Sequence, residues 1–213
     1  MSEEQITGWV KQWIDGWTVS RGAADPVEEP WGWTIAVGLT KEVGRHVLPV
    51  PAEGDVRKLA ATAPPATWLK LFAEDEVVMP WVGEGWESDL AGFLMTLPLT
   101  DAPAGPPPAG YTVTSWNRGG IIKVLVRTED GRLAARGQMG LAGRTAVADQ
   151  IETAPDQRRR GLGGLVMRTL QHLAWQTGAR EAVLVGTPEG KALYEALGWT
   201  LRSPMVSLVR RGD

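Results

Sequence analysis

The chain has 213 residues, 43% hydrophobic and 22% charged, a composition that supports one large core or two small ones. A net charge of -3 excludes general nucleic-acid binding, because no global positive field draws phosphates in. The absence of cysteine and the presence of only two histidines, His46 and His172, exclude disulfides, thiolate chemistry and histidine-rich metal sites.

No apolar run is long enough to span a bilayer, and no leader-like stretch opens the chain, so the expectation is a cytoplasmic protein with no membrane partner. The 11 tryptophans are scattered rather than periodic and read as packing residues. In chain order, an opening helix carries Trp9, Trp13 and Trp17. Strands are expected at residues 34–39, 46–50, 68–72 and 93–97, with a short helix at 77–82 before Gly85-Trp86. From Thr100 to Gly110 prolines and glycines exclude both helix and central strand. That spacer divides the chain into an N-terminal lobe of residues 1–99, a linker of residues 100–110 and a second domain of residues 111–213.

The second domain is more legible. Strands are expected at 111–116, 121–127, 133–141 and 145–153, as a meander. The period then changes to helical from Leu162 to near Gly178. A uniformly apolar strand follows at 182–185, then a short helix at 191–197 ended by Gly198, and a last strand at 205–209. The fold class is α/β: a mixed sheet flanked by helices in the C-terminal half, with a smaller α/β N-terminal lobe.

The chemistry concentrates where the strand ending at Pro155 runs into Arg158-Arg159-Arg160-Gly161-Leu162-Gly163-Gly164. Glycines let an anion approach the backbone, and the first amides of the following helix point at it with the positive end of the dipole. Three arginines sit at that positive end, where cations are normally disfavoured; a bound anion accounts for them. A dinucleotide-binding G-x-G-x-x-G would put its third glycine on Val166, and no G-x-x-x-x-G-K-[ST] occurs, so two common phosphate loops fail on spacing.

Arg158-x-x-Gly161-x-Gly163 resembles the [QR]-x-x-G-x-[GA] cofactor motif of the GNAT superfamily of acetyltransferases. Ala192-Leu193-Tyr194-Glu195-Ala196-Leu197-Gly198-Trp199 is similar to that superfamily's second motif, with one residue fewer before Leu-Tyr. The resemblance covers residues 111–213. It implies acetyl-CoA as co-substrate and no metal. Amides from Arg159 to Gly164 would bind the pyrophosphate, together with Arg158. Backbone groups of Ile151 and Thr153 would pair with the pantetheine arm. Tyr194 would protonate the departing thiolate, a role that also suits the chemistry of a phenol.

The general base is less legible. Family members often carry a glutamate on the strand before the tyrosine helix, but Ala182-Val183-Leu184-Val185-Gly186 has no acid. Asp149 and Glu152 on the preceding strand remain, and they point to opposite faces unless a bulge changes parity. A water-mediated base is the alternative. A backbone amide near Thr153 would stabilise the tetrahedral intermediate.

The first half resembles a degenerate copy of the second's tail: strand, helix, Gly-Trp, strand. Trp81 stands where Tyr194 stands, and acidic Pro51-Ala52-Glu53-Gly54-Asp55 occupies the place of the anion loop. Only Asn117 to Gly120 separates the second half's first two strands, where the family usually inserts two helices. The first half would then supply the missing wall of an acceptor cleft. Two functions follow from this: an N-acetyltransferase acting by direct attack on a small-molecule amine, with a peptide or protein amine second, or an acetyl-CoA-binding module without chemistry. A homodimer is a further expectation.

Overall fold

The computed structural model describes residues 2–211. Helix α1 (Glu3–Arg21) opens on Ser2, whose hydroxyl accepts from the Gln5 amide while the Gln5 side chain returns the bond. Its apolar stripe, Ile6, Val10, Trp13, Ile14 and Trp17, is buried, and the helix stops at Gly22 in the left-handed conformation. Then follow β1 (Val27–Glu29), β2 (Gly32–Leu39), β3 (Glu42–Leu48), α2 (Glu53–Thr62), β4 (Thr67–Leu71), α3 (Asp75–Val78) and a 3-10 turn (Met79–Trp81). The first half ends with β5 (Trp86–Ser88) and β6 (Gly92–Pro98).

The second half comprises β7 (Tyr111–Arg118), β8 (Ile121–Thr128), β9 (Leu133–Ala142), β10 (Thr145–Thr153), α4 (Leu162–Gln176), β11 (Glu181–Gly186), α5 (Pro188–Ala196) and β12 (Thr200–Arg210). Every strand expected here is present. Helix α5 begins three residues earlier than expected because Thr187 caps it, its hydroxyl accepting from the Gly190 amide, and Pro188 opens the first turn.

The strands form one continuous sheet in the order β1-β2-β3-β4-β12-β6-β11-β10-β9-β8-β7, with β5 also on β12. The separate N-terminal lobe expected from the proline spacer is therefore corrected: no such lobe stands apart. Strand β6, from the first half, lies between β11 and β12 of the second, pairing Phe93–Pro98 with Glu181–Gly186 and Gly92–Thr96 with Thr200–Met205. Strand β12 in turn pairs Val206–Val209 with β4. Residues 100–110 still connect the halves, but Leu99 and Ala104 pack into the core beneath α4.

Three apolar clusters result. One lies between the sheet and α4, one between the sheet and α1, and one against α2. The α1 cluster joins Trp33, Ile35 and Val47 of the first half to Val147 and Val183 of the second, so the tryptophans of α1 are mainly core. Helix and sheet touch through glycine: a Cβ at Gly140 would sit 2.0 Å from the Gly16 carbonyl oxygen. Helix α1 thus covers the face of β9, β10 and β11 that the short β7–β8 turn leaves open.

Candidate active site

Strands β10 and β11 run parallel but pair only at residues 145–147 with 181–183. Beyond Val147 they part, leaving the β11-side edge of β10 without a strand partner as far as Thr153. Into this gap opens a cleft of about 1150 Å³. Its walls are Leu133 to Arg136 of β9, Ile151 to Thr153 of β10 with Ala154 and Pro155 just beyond it, the loop at Arg158, Arg159 and Gly161–Gly164, and α5 residues including Gly190, Leu193 and Tyr194.

The loop has the backbone that an anion site requires. Arg159 (φ 62°) and Gly161 (φ 78°) both take the left-handed conformation, turning the chain sharply before α4. Strain of this kind in a non-glycine residue costs on the order of 1–3 kcal/mol and collects at ligand-binding sites. Arg158, Arg159 and Arg160 are exposed, and among the described residues none lies within ion-pair distance of a carboxylate. Arg158 and Arg159 line the cleft; Arg160 points aside, donating to the Tyr111 hydroxyl at 3.3 Å. A Cβ at Gly163 would lie 3.1 Å from Leu193 Cδ2 and 3.6 Å from Thr153 Oγ1, so only backbone fits there comfortably. Leu162 contributes its amide to the turn, while its side chain is buried in the α4 core. Ile151 packs partly into that same core.

Tyr194 stands at the other end of the cleft. Its ring slots between Gly186 and Gly190, where added Cβ atoms would approach it to 2.7 Å and 2.9 Å, and it packs against Trp199. Among the described residues its hydroxyl makes no hydrogen bond. Burial, and secondarily the nearby Asp149 carboxylate, pushes the phenol up to about 12. It therefore carries its proton at every working pH.

The two carboxylates share a face. Across β9, Asp149 pairs with Gln138 and Glu152 with Arg136, so three residues of β10 span two of β9. The extra residue is Gln150, at φ 53°, and this bulge reverses the parity. Both side chains project to the face covered by α1, opposite α4. Asp149 accepts from Ser20 Oγ at 2.7 Å and from Arg21 Nε and Nη2 at 2.5 and 2.8 Å. Glu152 accepts from Arg136 Nε at 3.0 Å and Nη2 at 2.8 Å, which holds its carboxyl below the usual range. Sequence reading found these carboxylates but not their partners: Ser20 and Arg21 lie more than a hundred residues from Asp149, and Arg136 meets Glu152 only through the pairing of β9 with β10.

A family model described as the acetyltransferase (GNAT) family matches residues 55–199, more than half of the chain. No curated protein matches the sequence. Among solved structures, a GCN5-related N-acetyltransferase from Kribbella flavida superposes with a TM-score of 0.68 at 17% identity, over 98% of this chain and 95% of that one. A functionally unknown conserved protein from Staphylococcus epidermidis superposes at 0.60 and 11% identity, over 96% and 98%. A tandem GNAT protein from the clavulanic acid biosynthesis pathway superposes at 0.52 and 14% identity, over 68% of this chain and 65% of that one. These likenesses concern the fold; the family match carries the activity and, with it, an acyl-CoA co-substrate and an amine acceptor. The chain belongs to the GNAT family and is an acyltransferase of that family.

Proposed function

We propose that the protein transfers an acetyl group from acetyl-CoA to the amine of a small molecule, with a peptide or protein amine as the second choice of acceptor. One observation carries the reading: a single cleft joins the glycine-arginine loop, the unpartnered edge of β10 and Tyr194. The residues present fit the co-substrate. Amides of Arg159–Gly164 and the Arg158 and Arg159 guanidiniums would hold its phosphates, with Arg160 close by, and backbone groups of Ile151 and Thr153 would hold its extended arm. Acetyl-CoA brings an activated thioester. The chain supplies the rest: Tyr194 holds a proton on its hydroxyl for the leaving sulfur, and a β10 amide is available to an oxyanion.

The acceptor would enter from the α1 side, where Asp149 and Glu152 face it. Both carboxylates are clamped by arginines, so proton removal through water suits them better than direct abstraction. We also propose that residues 1–99 are a degenerate copy of the family fold that has exchanged its last strand with the second half. Parallel β3 and β4 flank α2 as parallel β10 and β11 flank α4, and β6 and β12 each pair with the other half's parallel strand. A screen of amine libraries for acetyl-CoA turnover, read as free thiol, tests the reading. Turnover with an amine supports it; co-substrate binding with no turnover across chemically diverse amines overturns it.

A further inference from the structure

The one sheet of this molecule has two very different edges. Strand β1 at one end is three residues long, two of them glutamates, and stops at Pro30. That is a guarded edge: short, charged and closed by a residue without an amide proton. Strand β7 at the other end has none of these protections. It is eight residues long, Tyr-Thr-Val-Thr-Ser-Trp-Asn-Arg, and Arg118 is its single charge. Its register on β8 is unbroken from Tyr111 to Arg118, with no bulge to twist the edge away. From Thr114 to Arg118 every side chain is exposed, so neither sheet face is covered there, and Trp116 leaves 41% of its surface in water.

The edge is about 27 Å long, and beyond Tyr111, whose amide donates to the Pro108 carbonyl, it presents a row of backbone donors and acceptors without a strand partner. The segment is rich in threonine, valine, tyrosine and tryptophan, the residues that favour pairing. We propose that β7 is a docking edge whose occupant is β7 of a second copy, joined antiparallel about a twofold axis perpendicular to the sheet.

Such an axis keeps each face of the sheet on its own side, so residues of equal parity oppose one another. Centred on Ser115, it sets Trp116 opposite Thr114 and Arg118 opposite Thr112. The aromatic ring gains a β-branched neighbour, and no like charges meet. The interface is isologous, so each copy supplies the same edge and the assembly closes at two. The guarded β1 edge then prevents growth into a fibre. The surface is small, so the dimer belongs to the micromolar class rather than the obligate one. Both cleft openings lie on β10, three strands inward, and remain free.

Sedimentation of the full chain at about 100 µM, above that micromolar range, tests the proposal. The expected mass is twice 23.0 kDa. Ser115→Lys and Thr114→Lys, both at exposed positions, should each return the monomer mass with melting temperature and acetyl-CoA binding unchanged. Amide exchange in β7 of the parent should also slow as concentration rises from about 1 to 100 µM, a readout that survives a misfolded variant. A parent monomeric at 100 µM, or a dimer that persists in both folded lysine variants, overturns the proposal.

Discussion

Arg21 at the end of α1 and Asp149 on β10 form a two-point ion pair across 128 residues of sequence, with contacts of 2.5 and 2.8 Å. The arginine is 38% exposed and the aspartate 10%. The asymmetry sets what each loss would cost. Removing Arg21 strands a buried carboxylate on Ser20 alone, whereas removing Asp149 frees an arginine to turn into water. Arg21→Met should cost about 1–3 kcal/mol of stability and Asp149→Asn less, with the double variant more stable than Arg21→Met. Chemical denaturation of the three variants checks the order; equal and additive losses would contradict the pairing.

Lys70 on β4 is buried, its ammonium donating to Ser207 Oγ at 2.5 Å and lying 4.3 Å over Trp68. Burial lowers it to about 7, with Arg45 adding to the effect. Between pH of about 7 and the ordinary lysine range near 10.5, the unfolded chain binds more protons than the folded one, so stability rises with pH across that window. Lys70→Met should flatten that rise and stabilise the protein at pH 7 by roughly 1–3 kcal/mol, after the lost bond to Ser207 is set against it. Thermal melts at pH 7 and 9 decide it: an undiminished rise in the variant assigns the dependence elsewhere.

Gly163→Val would push Cβ atoms toward Leu193 and Thr153 at the floor of the cleft. Leu193 Cδ2 is the end of a flexible side chain, so the fold should survive. Acetyl-CoA affinity should fall at least about tenfold, or 1.4 kcal/mol. Calorimetry showing parental affinity would remove the loop from the co-substrate site.

A fragment of residues 105–213 lacks β6, the strand between β11 and β12. It should aggregate or unfold, because Leu94 and Met95 are fully buried contributions to the cores on the two sheet faces. A monodisperse, fully active fragment would contradict the single-sheet account.

These tests follow the line between what the sequence showed and what it hid. The loop and Tyr194 were legible because glycine spacing and a helical motif are local. The bulge at Gln150 was not, since nothing in Asp149-Gln150-Ile151-Glu152 marks a break in alternation. Helix α2 is not among the elements expected from sequence: Val56, Leu59 and Ala60 make one short apolar face, and no side chain caps its start. Strands β1 and β5, three residues each, carry too little pattern to see. The placing of β6 between β11 and β12 is a long-range pairing, and its apolar run Phe93, Leu94 and Met95 is that of any buried strand. The proline spacer pointed to a domain boundary, yet prolines serve equally well in a crossover that packs on its own core.

Tyr194→Phe tests the account's central claim most directly. The ring keeps its slot between Gly186 and Gly190, so melting temperature and acetyl-CoA affinity should match the parent. If the hydroxyl delivers the proton to the leaving sulfur, kcat should fall by roughly 10²–10⁴. The loss should shrink with an acyl donor whose thiol is more acidic. Because burial holds the phenol up at about 12, the parent's kcat should show no alkaline fall near pH 10 that depends on Tyr194. An unchanged kcat in Tyr194→Phe, with an amine the parent acetylates, would contradict the account and make Tyr194 a packing residue.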